Sequence, residues 1–182
     1  LRKNYIYPMP MMIHYDGQPL RGPPGKLIGL LDQVDFLREC GAVTVQVSYL
    51  QPITGSADEV PTYKAGKVFS RVGNLPIEDR HYDGNHIVST THENPLQRQD
   101  NIRAAYRQFY RLPNFLKDLV GDIRSGSLFS EKYSPSRIYL AYIAARKISE
   151  RNLKDFKGAL ATGDFERASS PPESQIPIVK VN

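Results

Sequence analysis

Four histidines, one cysteine and a short polar loop are the groups in this chain with the means to do chemistry. His81, His86 and His92 lie close in sequence, with Asp79, Asp83 and Glu93 among them. Imidazoles and carboxylates together can hold a divalent cation or move protons. Their spacing matches no common zinc pattern, however, and the segment has little helical or strand periodicity. Asp83 and His86 are therefore read as lid groups that close over a ligand site, with Asp83-Gly84 as a turn signal. His14 is a further substrate or lid candidate. Flanked by Ile13 and Tyr15, it also fits a hydrogen-bonded structural histidine. Tyr49, Leu50, Gln51 and Thr54 are the binding candidates. They stand where a β-branched run gives way to a Pro/Thr/Gly/Ser loop, and a plain strand-ending turn over 52–56 is the competing reading. No complete catalytic set is present, so no residue is assigned as catalytic or as a metal ligand.

Cys40 is the only cysteine, which excludes an internal disulfide framework and any multi-cysteine metal or cluster site within this chain. Its place at the end of a helical pattern, just before Gly41, suggests a small buried residue. Arg103, Arg107 and Arg111 recur every fourth position. They form either a phosphate-tracking row or a solvated helix face. The 24 Lys and Arg against 19 Asp and Glu leave a net charge of +5, with no block of like charges, so the charge pattern gives little reason to invoke nucleic acid. Hydrophobic residues at 40% permit a core. No apolar run approaches the roughly 20 residues of a membrane span, and the N-terminal LRKNYIYPMPMM does not read as a signal peptide. A cytoplasmic setting is expected. The first residue is Leu rather than Met, and a piece of a longer polypeptide is expected.

The elements that position these groups are legible in order. Met9 to Tyr15 reads as a strand and Asp16 to Gly25 as a loop dense in Gly and Pro. Lys26 to Cys40 reads as a helix, because Leu27, Leu30, Leu31, Val34 and Leu37 share one face of a 3.6-residue period. Val43, Val45 and Val47 alternate with polar residues in a second strand. Strand, helix, strand is a βαβ unit, which requires parallel strands and a crossover. Two parallel strands cannot bury themselves alone, so a larger sheet is implied.

Residues 57–92 read as a packed lid, with a short strand around Ile87-Val88. Asn94-Pro95 opens a helix as N-cap and first residue. Its apolar face is Ile102, Ala105, Tyr106 and Phe109. Pro113 breaks that helix, and Asn114 is expected to cap a second piece carrying Leu116, Leu119 and Val120. Gly121 to Lys132 reads as a polar linker. Ser134-Pro135 opens another helix running to Ser149, and Leu153, Phe156 and Leu160 indicate a short last one. Residues 169–182 read as a disordered tail.

Several of these segments resemble the C-terminal part of radical S-adenosylmethionine enzymes of the cobalamin (B12)-binding group. The run Val45 to Ser56, VQVSYLQPITGS, is similar to the family's final barrel strand, VQVS-L-TPLPGT. Arg80 to Val88 is similar to the YDG-H-VF segment beyond the barrel. Asn94-Pro95 and Ala104 to Tyr110 resemble the SPEEL…AYREFYS helix. The likeness covers residues 5–120. The family's C-x3-C-x2-C motif, its first strands and its cobalamin domain have no counterpart here, and Asp16 to Gly22 differs from the usual GFPGET-like turn.

The resemblance implies an α/β fold: the last βαβ unit of a radical SAM barrel at 5–56, then a lid loop and helix packed on it at 57–121. A helical extension would follow at 122–168, then the tail at 169–182. It implies a fragment that acts in reductive cleavage of S-adenosylmethionine at a [4Fe–4S] cluster, with cobalamin use left open. Tyr49, Leu50, Gln51 and Thr54 would line the adenosyl pocket. The cluster ligands would lie in a missing N-terminal half, with a flavodoxin or ferredoxin as electron donor, and the chain would be inactive alone. The residues by themselves also leave open a non-catalytic basic module that binds nucleic acid or an anionic partner, and a helical interaction domain without a ligand.

Overall fold

The computed structural model describes residues 8–129 and 134–171. Strand β1 (Met11–His14) and strand β2 (Gln46–Tyr49) pair in parallel, with Met11 opposite Gln46 and His14 opposite Tyr49. Helix α1 (Leu30–Glu39) connects them, so the expected βαβ unit is present. The helix starts four residues later than its apolar spacing suggests. The loop before it docks on its first turn: the Leu30 and Leu31 N–H groups donate to the Pro19 and Leu20 carbonyls at 3.0 Å each. Asp32 accepts from the Gly22 N–H at 2.6 Å and from Arg21 at 2.9 Å. The two segments meet so closely at Gly22 and Gly29 that a Cβ on Gly29 would collide with the Gly22 backbone. Leu27 is left outside the helix and exposed, while Leu30 and Val34 are fully buried.

The stretch after β2 holds more regular structure than its sequence shows. It contains a short helix α2 (Glu59–Lys64), strand β3 (Phe69–Val72) and strand β4 (Leu75–Pro76). Strand β3 is the centre of a second, antiparallel sheet, flanked by β4 and by strand β5 (Phe165–Arg167) from near the chain end. Ile87 and Val88 form no strand. They are buried, and Val88 accepts a hydrogen bond from the Phe69 N–H at 2.9 Å.

Helix α3 (Pro95–Phe109) begins as expected, with the Asn94 side chain accepting from the Gln97 N–H at 2.9 Å. Helix α4 (Leu112–Ser125) takes Arg111, not Asn114, as its N-cap. Asn114 instead donates its side-chain amide to the Phe109 carbonyl at 2.8 Å and so closes the end of α3. The helix also runs through Gly121 to Ser125, where a linker was expected; residues 130–132 of that linker lie outside the described residues. Helix α5 (Pro135–Asn152) starts at the Ser134 cap and extends three residues past Ser149. Helix α6 (Lys154–Ala161) buries Leu153, Phe156 and Leu160.

One apolar core joins these parts. Met12, Val45, Val47 and Tyr49 from the parallel pair meet Leu30 and Val34 of α1 and Ile102, Ala105, Tyr106 and Phe109 of α3. Phe69, Val72, Ile87, Phe156 and Leu160 continue the same cluster. The fold is thus mixed α/β with two small sheets and a mainly helical second half. Among the described residues there is no closed barrel. No described helix is long and apolar enough to cross a membrane. Residues 5–7 and 172–182, the start of the first expected unit and most of the expected tail, lie outside the described residues.

Candidate functional site

Parallel strands in α/β folds present their ligands at their carboxyl ends. A cavity of about 470 Å³ lies there, beyond His14 and Tyr49. Its walls include His14, Tyr49, Leu50 and Gln51, so four of the sequence candidates come together. Pro61, Thr62 and Ala65, on and just after α2, line it from the segment read as a lid. Thr54 is not on this wall. It lies in an exposed turn after Ile53. A larger cleft of about 750 Å³ opens beside Arg38, Cys40 and Asp118, at the opposite, amino end of β2. Its lining is mostly charged, and of the sequence candidates only Cys40 and Arg111 reach it. The carboxyl-end cavity is the better site on topology. Cys40 is exposed rather than buried, because α1 ends there and the chain turns at Gly41.

His14 is held on both sides of its ring. Nδ1 lies 2.7 Å from Gln18 Oε1 and Nε2 lies 3.3 Å from the Asn101 side-chain amide. Gln18 is fixed in turn by donating to Gln33 Oε1 and to the Ile28 carbonyl. The neutral imidazole, donating from Nδ1 and accepting at Nε2, satisfies all of these contacts. Burial lowers its pKa to about 4, and the nearby Arg98 charge adds to the effect. At neutral pH His14 is an uncharged wall residue whose one ring proton is held by Gln18.

Gln51 and Tyr49 are similarly committed. Gln51 accepts from the Gly84 N–H at 3.0 Å and donates to the His86 carbonyl at 2.8 Å. It therefore latches the 81–86 loop onto the end of β2. The Tyr49 hydroxyl donates to the Arg98 carbonyl at 2.8 Å, and burial raises its pKa well above the usual phenol value. These side chains shape the cavity without leaving free donors in it. Leu50, more than half exposed, and buried Pro52 supply an apolar surface.

Asp83 and His86 do not reach this cavity. They line a separate depression against α5 and α6, with His81 and Phe156. Asp83 accepts from the Asn85 and His86 N–H groups and pairs with His86 Nδ1 at 2.9 Å. Burial pushes its pKa up, but these hydrogen bonds outweigh it and bring it down to about 2. The His81 and His86 rings stand 5.0 Å apart, and His92 is turned to the Asn94 backbone instead. The three histidines read together in the sequence are thus divided between two places.

Arg98 is a cavity residue that the sequence reading missed. It is buried, donates to the Tyr15 carbonyl at 2.6 Å, and sits 3.7 Å from Asp16. Asp16 accepts from the Thr90 hydroxyl at 2.6 Å and the Thr91 N–H at 2.8 Å. Burial raises the Asp16 pKa, yet those bonds and the Arg98 charge bring it below the usual range. The available signal was a basic residue at the fourth position of a capped helix, which looks solvent-facing in one dimension. Helix α3 instead aims it at the end of β1. The row of Arg103, Arg107 and Arg111 is not free as a unit, since Arg103 lies 3.6 Å from Glu150.

The cluster that the resemblance implies does not fit this chain. An iron–sulfur cluster of this type needs several thiolates, and Cys40 lies at the wrong end of the strands. No family model matches the sequence, and no match is found among curated proteins or solved structures.

Proposed function

We propose that this chain is the closing segment of a radical S-adenosylmethionine enzyme of the cobalamin-binding group, with its cluster-bearing half upstream. The supporting observation is the parallel βαβ unit. Its strands pack helices on one face, leave Met11, Ile13 and Gln46 exposed on the other, and end at a cavity walled by His14, Tyr49, Leu50 and Gln51. In a complete parallel sheet both faces are covered. On this reading the exposed side chains Met11 and Ile13 face the interior of a barrel whose other strands precede them.

The residues present have defined tasks under this reading. Leu50 and Pro52 offer an apolar wall to an adenosyl group. His14 contributes an uncharged wall beside the Arg98–Asp16 pair, and Gln51 holds the 81–86 loop in place. No step of the radical reaction is assigned to this chain, because no residue in it can carry the cluster. The test is the reading frame immediately upstream of the Leu1 codon. An in-frame C-x3-C-x2-C following a β-strand pattern is expected. An authentic start codon at that point, with no such motif in a partner chain, would sink the proposal.

A further inference from the structure

Of Arg103, Arg107 and Arg111, only the first lines a recess between α3, α5 and α6. Helical spacing assembles its walls. Gln99, Ile102 and Arg103 stand at i, i+3 and i+4 on one face of α3, and Arg146 and Glu150 stand four apart on α5. Lys154 and Lys157 stand three apart on α6. The recess has a volume of about 230 Å³, below the roughly 300–1,000 Å³ of a drug-sized site, so it suits only a small ligand. It shares no lining residue with the cavity at the carboxyl ends of β1 and β2. Four cations and one carboxylate line it. Glu150 stands 3.6 Å from Arg103, and Asp100 accepts from Lys157 Nζ. Arg146 and Lys154 make no ion pair among the described residues, so two positive charges have no counter-charge. Arg146 is held in position: its guanidinium lies 3.7 Å from the centre of the Tyr106 ring, and Nη1 donates to Asn85 Oδ1 at 3.2 Å. The Nε–H groups of Arg103 and Arg146 are buried without an acceptor, where buried donors are ordinarily paired.

We propose that this recess binds a small phosphate monoester. A phosphoryl group of this kind carries a charge of about −1.5 to −2 at neutral pH, which matches the two unpaired cations. A carboxylate, with one charge, would leave one of them uncompensated. Phosphoryl oxygens also suit guanidinium forks and ammonium groups that converge from separate helices. Gln99 is committed to the Ile87 N–H and the Asn85 carbonyl, so recognition falls to the cations. Buried Ile102 and Leu153 give the carbon part of the ester an apolar wall. A nucleic acid strand calls for cations spread along a surface to meet successive phosphates. Here they converge on one small recess, and Arg107 and Arg111 lie outside it.

The inference does not rest on the radical SAM reading, since it uses only the contacts among α3, α5 and α6. Isothermal titration of the full 182-residue chain with phenyl phosphate should show saturable one-to-one binding. Inorganic phosphate should bind more weakly, because it leaves the apolar wall unused. Benzoate at equal ionic strength should bind about tenfold more weakly or worse. Phenyl phosphate should also raise the thermal midpoint as its concentration rises. Arg146→Gln and Lys154→Gln should each weaken binding about tenfold. Arg107→Gln, on the same α3 but outside the recess, should leave it unchanged. Lys154 is exposed, so its variant decides the matter even if Arg146→Gln does not fold. A chain that shows no saturable binding of phenyl phosphate overturns the inference. So does binding that Lys154→Gln leaves intact, or that Arg107→Gln weakens equally, since the attraction would then be diffuse. A single-stranded RNA that displaces phenyl phosphate and loses affinity in Arg107→Gln would also overturn it, in favour of an extended nucleic-acid surface.

Discussion

At the scale of single residues, His14 connects the site to the fold. Its folded pKa of about 4 lies below the unfolded value of 6.5. Between those values the unfolded state binds more protons, so stability falls as pH falls through the window. The loss attributable to His14 is up to about 3 kcal/mol between pH 6.5 and 4. His81, also lowered by burial and by the neighbouring His86 and Arg80 charges, works in the same direction. Asp16 and Asp83 have lowered values, so their contributions are lost only at more acid pH. Urea unfolding at pH 6.5 and 4.5 should therefore show a marked drop for the native chain and a shallower one for His14→Gln. Equal drops would mean that His14 is not held neutral. The sequence marked His14 as a site candidate, and it does line the cavity. Its partners Gln18, Gln33 and Asn101 come from three separate segments, and no local pattern could have named them.

At the scale of elements, α4 is turned opposite to its composition. Its buried side chains are Asp118 and Asp122, while Leu112, Leu116, Val120 and Ile123 are exposed. Asp118 pairs with Arg38 at 3.0 Å, a contact between residues eighty positions apart. Asp122 accepts from the Ser134 hydroxyl at 2.6 Å, the Ser136 N–H at 2.7 Å and the Ser127 hydroxyl at 2.8 Å. It thereby anchors the first turn of α5, where a negative charge also meets the favourable end of the helix dipole. Asp122→Ala should cost about 2–4 kcal/mol, because it leaves several buried donors without an acceptor. Asp122→Asn, which keeps one acceptor oxygen, should cost less. Thermal or urea unfolding of the two variants measures the difference, and equal stabilities would refute the anchoring role.

This helix also shows where sequence reading fails. Local capping signals were sufficient for Asn94, Ser134 and the period of α3, because those effects act within one turn. The orientation of α4 is set by distant Arg38 and by serines past its end, so its apolar residues pointed to the wrong face. Strands β3 and β5 pair across nearly the whole second half of the chain. Each is only three or four residues long, too short to carry a readable alternation.

At the scale of the molecule, the parallel pair is covered by helices on one face and largely exposed on the other, where only Ser48 is half-buried. Met9, Met11, Ile13 and Tyr15 are all exposed along β1. The βαβ order was legible because helix and strand periods differ, and the structure keeps it. The barrel that the resemblance implies requires strands outside this chain. The proposed enzyme thus divides into a cluster-bearing half and the segment described here, which closes the cavity. The most direct measurement is electron paramagnetic resonance of the complete native polypeptide after iron–sulfur reconstitution and reduction. The account predicts a reduced [4Fe–4S] signal that changes shape when S-adenosylmethionine is added. A native polypeptide that assembles no cluster, or one whose signal does not respond to S-adenosylmethionine, would contradict it.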